Sequence, residues 1–186
     1  YQPDHFKLAQ SLKVYREELG KRPPIASMEL IWTAHQGQHL LINGFVHPPT
    51  EARAWKTLKI LGESDFISIK GLEGGTDLST SRASITGHIK ENESKRIILH
   101  PQKHNHYEKD IEWSNLDEWK DLALAALINK GPLRNALAWN AGVYLWFAGM
   151  SHNLEQGLIQ AEKIMNNGSA KLTLEKLINW KVKVGN

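Results

Sequence analysis

Two apolar runs on either side of one helix constrain this chain of 186 residues more than any other feature. The first, Leu40-Leu41-Ile42-Asn43-Gly44-Phe45-Val46, lies between His39 and His47, and the second is Asp65-Phe66-Ile67-Ser68-Ile69. Both are short, apolar and partly β-branched, the pattern of buried strands. Between them Pro48-Pro49-Thr50 opens a helix through Ile60-Leu61, with Thr50 expected as its N-cap and Gly62 at its end. Strand, helix and strand in so short a span form a βαβ unit, which predicts parallel strands and a right-handed crossover. Ligands of such sheets sit beyond the carboxyl ends of the strands.

The loop at the end of the second run therefore matters most. Lys70-Gly71-Leu72-Glu73-Gly74-Gly75-Thr76-Asp77 continues into Leu78-Ser79-Thr80-Ser81-Arg82. Glycines past a strand end let the backbone approach a ligand, and successive N–H groups can form an anion-binding hollow. Gly71, Gly74 and Gly75 are thus candidate phosphate donors. Asp77 is a candidate ligand for Mg²⁺, because hard oxygen ligands beside a phosphate are its usual surroundings. The alternative is a tight loop whose glycines only turn the chain.

The remaining chain reads as helices and one hairpin. A helix is expected over Asp4–Leu19, from Leu8, Leu12, Tyr15 and Leu19 and the stop at Gly20, and a second over Ile25–Trp32. Ser84–Ile89 and Arg96–His100 are expected strands around the polar turn Lys90–Lys95. Pro101–Glu112 reads as a polar loop, and Asn115 opens a helix to Asn129 with Leu122, Leu124 and Leu127 inward. Leu133–Met150 is apolar on nearly every side, hence a core helix, and Asn140 within it needs buried partners. Ser151-His152-Asn153 caps a helix over Leu154–Met165, and Ser169 starts the last one.

Composition narrows the function classes. One domain, or most of one, fits this length. The chain has no cysteine, which excludes disulfides and thiolate metal sites and fits a cytoplasmic protein. No stretch approaches about 18 uninterrupted apolar residues, so no membrane insertion is expected. The 23 Lys/Arg against 20 Asp/Glu permit phosphate or nucleic-acid ligands without demanding them. His100, His104 and His106 lie close together but lack the spacing of a metal site, so a solvated loop is the better reading. The stretch from His88 to Lys109, with five Lys/Arg, three Glu and four His, suits either a phosphate backbone or an ordinary charged hairpin. Some of the seven tryptophans could stack on bases, though Trp139 and Trp146 belong in the core. No nucleophile elbow, Walker loop or HExxH pattern is present, so hydrolase and P-loop readings have no support.

Three ordered anchors carry a resemblance across the whole length. They are Tyr1-Gln2-Pro3 leading into Arg16-Glu17-Glu18-Leu19-Gly20-Lys21-Arg22; Lys70-Gly71 through Asp77-Leu78-Ser79; and Gly131-Pro132-Leu133-Arg134-Asn135-Ala136 to Asn140-Ala141, Ala148-Gly149 and Leu154-Glu155-Gln156-Gly157. In these the chain resembles the C-terminal part of the anthranilate phosphoribosyltransferase family, the glycosyltransferase family 3 fold. The wording Glu29-Leu30-Ile31-Trp32 with Lys70-Gly71-Leu72-Glu73-Gly74 is closest to the family's TrpD-like paralogues. The resemblance implies an α/β domain over 1–186, part of a mainly parallel sheet flanked by helices, of the nucleoside phosphorylase and phosphoribosyltransferase kind. It implies transfer of phosphoribose from phosphoribosyl pyrophosphate to an aromatic amine with Mg²⁺. Asp77 and Glu73 would serve the metal, Gly71, Gly74 and Gly75 the diphosphate, and Arg16 the acceptor.

The departures from the family pattern are as informative. Phe6-Lys7-Leu8 stands where the enzymes have a His-Pro-Ala triplet, and Glu29–Ala34 replaces their Gly-Pro-Leu-x-Asn-Pro turn. Their adjacent Asp-Glu pair becomes Thr76-Asp77, with one carboxylate lost. The family's Gly-Thr-Gly-Gly-Asp diphosphate loop and its small helical domain are not among these residues. The isolated chain is accordingly expected to be inactive, and its sheet edge to be covered by an N-terminal half or a protein partner. Some TrpD-like paralogues bind nucleic acid without transferase activity, so the alternatives are a nucleic-acid-binding module with a basic surface and an assembly subunit.

Overall fold

The computed structural model describes residues 7–20, 30–33, 35–91 and 93–184. The chain divides into two compact units, Tyr1–Thr76 with Ile85–Ile98, and Asp77–Ser84 with Leu99–Asn186. The fold class is α/β, as expected.

In the first unit, α1 (Lys7–Ser11) and α2 (Lys13–Leu19) precede β1 (Leu41–Phe45), α3 (Pro48–Ile60) and β2 (Asp65–Lys70). β3 (Ser84–Lys90) and β4 (Glu93–Leu99) complete a four-stranded sheet of order β1-β2-β3-β4. The expected βαβ unit is present: β1 and β2 are parallel, with Phe45 opposite Lys70, so both carboxyl ends point the same way. β2 and β3 are antiparallel, which makes the sheet mixed. β2 is buried from Phe66 to Ile69, as a strand covered on both faces should be. α3 turns Glu51, Ala54 and Leu58 inward at helical spacing, onto Leu41, Phe66 and Ile89.

Glu51 is an unusual core residue, only 4% exposed. Burying a carboxylate is costly unless it is paired and hydrogen-bonded. Arg96 of β4 holds it with two parallel bonds of 2.7 and 2.8 Å, and the Ser68 hydroxyl donates to it at 2.5 Å. Trp55 closes the network, donating Nε1 to Ser68 at 3.1 Å and lying 5.3 Å beneath the Arg96 guanidinium. The bond to Glu51 holds that guanidinium above its ordinary pKa, against the opposing effect of burial.

The second unit carries α4 (Leu116–Ala126), α5 (Arg134–Phe147), α6 (Leu154–Asn166) and α7 (Ser169–Val184). Asn115 and Asn153 cap α4 and α6, each side chain accepting an N–H three residues on, from Glu118 and Gln156. α5 buries Trp139 and Val143 completely, and α6 buries Leu154, Gly157, Leu158, Ala161 and Met165 along one stripe. The two helices touch through glycines. A Cβ on Gly157 would stand 2.3 Å from the Gly142 carbonyl oxygen, and one on Gly142 would stand 2.8 Å from Leu158 Cα.

Several expectations need correction. The first helix breaks at Leu12 into two short pieces, and Leu8, Tyr15 and Leu19 are exposed. Its start, the Tyr1-Gln2-Pro3 anchor and most of the helix expected over Ile25–Trp32 lie outside the described residues, and Trp32 itself is not helical. His47, not Thr50, is the N-cap of α3, because Pro48 and Pro49 already occupy the first turn, where a missing N–H costs nothing. β4 begins at Glu93, which tightens the hairpin turn. Leu124 is turned outward on α4.

Candidate functional site

The Gly-rich loop begins where β1 and β2 end together. Leu72–Gly74 forms a 3₁₀ turn, with Glu73 in the left-handed region at φ 50°. That conformation is uncommon for a residue with a side chain and clusters at functional sites. Gly71 has an ordinary extended backbone, at φ −94° and ψ 170°, so no special torsion demands glycine there. Space demands it: a Cβ would stand 1.8 Å from the Gly75 carbonyl oxygen. Gly44 of β1 is constrained in the same way, since its Cβ would stand 1.9 Å from the Gly74 carbonyl oxygen. The glycines thus let the loop fold back over the end of β1. The N–H groups of Gly71, Gly74 and Gly75 donate to the carbonyls of Ile69, Gly71 and Leu72 at 3.0, 3.4 and 2.8 Å. Leu72 projects outward at 77% exposure.

The chain then enters the second unit at Asp77, an exposed carboxylate. The residues after it are held at three levels. Asn140 of α5 accepts the Leu78 N–H at 2.8 Å and donates its amide to the Leu78 carbonyl at 2.9 Å. Thr80 exchanges two bonds with Glu108, its hydroxyl to the Glu108 carbonyl at 3.2 Å and its own carbonyl to the Glu108 N–H at 3.3 Å. Ser79 and Ser81 donate to the Asp110 carboxylate at 3.4 and 2.9 Å. The 101–110 stretch that supplies these partners is itself tied to α5. Asn135 donates to the His106 carbonyl at 2.9 Å and accepts from His106 Nδ1 at 2.7 Å.

Arg16 lies on α2, half-buried, just ahead of the Gly20 cap, where the Gly20 N–H reaches the Arg16 carbonyl at 3.1 Å. Arg16, Glu73 and the loop glycines belong to the first unit and Asp77 opens the second. Asp77 and Glu73 are exposed, and neither carboxylate makes an ion pair or hydrogen bond among the described residues. As hard oxygen donors they suit Mg²⁺.

The histidine cluster is not a solvated loop. His106 is buried, and the rings of His104 and His106 each lie 5.8 Å from the centre of Trp139. His104 also stands 3.3 Å from Glu155. Among the described residues no three His, Asp or Glu side chains gather as a metal set. No helix of the described residues is long and apolar enough to cross a membrane. The sequence singled out Asn140 as needing partners but could not name Leu78, and it carried no sign of Asp110 or Glu108.

No family model matches the chain. Anthranilate phosphoribosyltransferase of Chromobacterium violaceum is 26% identical over 189 residues, covering 100% of this chain and 55% of its own length. The Polaromonas protein of the same name is 23% identical over 183 residues, covering 96% and 52%. Among solved structures, anthranilate phosphoribosyltransferase from Saccharomyces cerevisiae in complex with phosphoribosyl pyrophosphate and Mg superposes with a TM-score of 0.66 at 18% identity, over 90% of this chain and 50% of that one. The same enzyme in complex with 4-fluoroanthranilate gives 0.70. That from Thermus thermophilus gives 0.54 at 24% identity, over 72% and 40%. At these identities the structural likeness shows the fold. The chain spans about half the length of the curated relatives it matches.

Proposed function

We propose that this chain, which resembles the C-terminal part of the anthranilate phosphoribosyltransferase family, supplies the metal and diphosphate side of a phosphoribosyl-transfer site. The observation that carries the reading is the loop over Gly71–Gly75, folded over the carboxyl end of a parallel strand pair and leading directly to Asp77, whose carboxylate has no partner among the described residues. In this proposal Asp77 and Glu73 hold Mg²⁺, which supplies charge neutralisation for a diphosphate. The Gly74 N–H, whose own bond to Gly71 is the longest of the three in the loop at 3.4 Å, is the donor most readily turned to a phosphate oxygen. Gly71 and Gly75 shape the loop around it. Arg16 serves the carboxylate of an aromatic amine acceptor, for which a planar guanidinium is suited. Such chemistry depends chiefly on positioning and charge neutralisation. The test is product formation from phosphoribosyl pyrophosphate and anthranilate by the full-length polypeptide. Turnover that Asp77→Asn abolishes is expected, and none at saturating Mg²⁺ removes the reading.

A second reading, nucleic-acid binding without transfer, is favoured by one surface feature. Trp113 and Trp119 are exposed by 61% and 37%, with ring centres 5.7 Å apart, and Tyr107 and Leu116 are exposed nearby in sequence. Paired exposed indoles offer bases a stacking surface. If single-stranded nucleic acid binds there, affinity falls with salt and Trp113→Ala weakens it. No binding at low salt removes this reading.

A further inference from the structure

Asn140 uses both polar atoms of its side chain, and both meet one residue. Its Oδ1 accepts the Leu78 N–H at 2.8 Å, while Nδ2 donates to the Leu78 carbonyl at 2.9 Å and to the Ala136 carbonyl of its own helix at 2.9 Å. The third bond fixes the amide against α5, so the first two transmit the position of a core helix to the chain at Leu78. That N–H belongs to the peptide unit that begins with the carbonyl of Asp77. Holding it fixes the Asp77–Leu78 peptide plane, one of the two planes between which the carboxylate leaves the backbone. The side chain of Leu78 is buried, which anchors the same peptide from the other side. The bonds at Thr80, Ser79 and Ser81 act further along and do not touch that peptide.

We propose that Asn140 is a positioning residue for Asp77: it holds the Asp77–Leu78 peptide so that the carboxylate stands ready for a divalent cation. The proposal rests on the reading of Asp77 as a metal ligand. Groups that orient a metal ligand from behind typically change metal affinity by about tenfold or more when they are removed.

The test titrates the full-length protein with Mn²⁺, followed by the paramagnetic resonance of the free ion, alongside hydrogen exchange of the Leu78 amide. Asn140→Leu removes all three bonds while keeping the same number of side-chain heavy atoms. Asn140→Asp keeps an acceptor for the Leu78 N–H but turns a carboxylate towards two carbonyls, and it carries the comparison if the leucine variant fails to fold. Leu158→Ala, a core change on α6, is the control for loss of stability alone. Expected are an affinity for Mn²⁺ about tenfold weaker in the Asn140 variants, faster exchange at Leu78, and neither change in Leu158→Ala. Undiminished affinity in both Asn140 variants, with wild-type binding abolished by Asp77→Asn, overturns the role of Asn140 and leaves the metal reading standing. Equal weakening in Leu158→Ala does the same, because stability alone then explains the effect. Absent binding, or binding that Asp77→Asn leaves intact, overturns the metal reading and this inference with it.

Discussion

At the scale of single residues, glycine here answers to two different demands. Gly44 and Gly71 sit where another backbone already fills the place of a Cβ, 1.9 and 1.8 Å away, and a carbonyl cannot swing aside as a side-chain tip can. Gly44→Ala is therefore expected to destabilise the protein by about 3 kcal/mol, the upper range for forced overpacking. Gly75→Ala is expected to stay within about 1 kcal/mol of wild type, since its Cβ would be 3.2 Å from the nearest atom and its φ is −66°. Urea unfolding of the two variants checks the contrast, and equal effects would refute it. His39 supplies a different residue-scale prediction. Its Nδ1 lies 2.7 Å from the Gly37 carbonyl and its Nε2 lies 2.8 Å from a Glu63 carboxylate oxygen. Both partners accept, so the arrangement favours the doubly protonated, cationic ring. The Gly37 bond, aided by Glu63 and opposed by burial, raises its pKa above the ordinary 6.5. A raised folded-state pKa means that the contribution to stability is complete below pH 6.5 and fades as pH climbs through the raised value. The gap in Tm between wild type and His39→Phe should thus narrow with rising pH, and a gap that widens would contradict the assignment.

At the scale of elements, what was legible in the sequence was short in range. The β1–α3–β2 unit followed from apolar runs and helix-breaking residues within one stretch, and the caps at Asn115 and Asn153 from chemistry spanning three residues. The break at Leu12 was hidden, because nothing local opposes a helix there. The long-range polar pairs were hidden for another reason: Asn140 meets Leu78 across 62 positions, and Arg96 meets Glu51 across 45. A polar residue on an apolar helix announces that it needs a partner but not which one. The same holds for His104 and His106, whose rings pack beside a tryptophan on α5. Gly157 belongs to the resemblance motif Leu154-Glu155-Gln156-Gly157, and the structure gives it a physical task. It lets α6 approach α5 closely enough that its missing Cβ would stand 2.3 Å from the Gly142 carbonyl oxygen. Gly157→Ala should cost on the order of 2 kcal/mol by forcing the helices apart. Gly149→Ala, where nothing lies within 4 Å and only the positive φ of 70° resists, should cost about 1 kcal/mol. Thermal unfolding of the two variants decides whether helix approach outweighs backbone torsion at this crossing.

At the scale of the whole molecule, the question is what this length of chain can do alone. The transfer of phosphoribose from a diphosphate requires several negative charges to be held at once, and Mg²⁺ requires near-octahedral oxygen ligands besides. These residues offer two exposed carboxylates, Asp77 and Glu73, and one Gly-rich loop whose Gly71, Gly74 and Gly75 N–H groups already have backbone partners. The curated relatives are about twice as long, this chain covering 55% and 52% of two of them. Among the described residues β1 has a strand neighbour on one side only, β2, and Leu177, Ile178 and Trp180 of α7 are exposed. Open edges and apolar helix faces of this kind favour association with another chain or segment. The isolated 186-residue polypeptide is therefore expected to associate in solution and to show no transfer of phosphoribose to anthranilate at saturating Mg²⁺. Sedimentation and a product assay on that polypeptide check both halves of the expectation. A monomer that binds phosphoribosyl pyrophosphate with Mg²⁺ and turns it over would show that one Gly-rich loop and two carboxylates suffice, and that the open edge of β1 needs no cover.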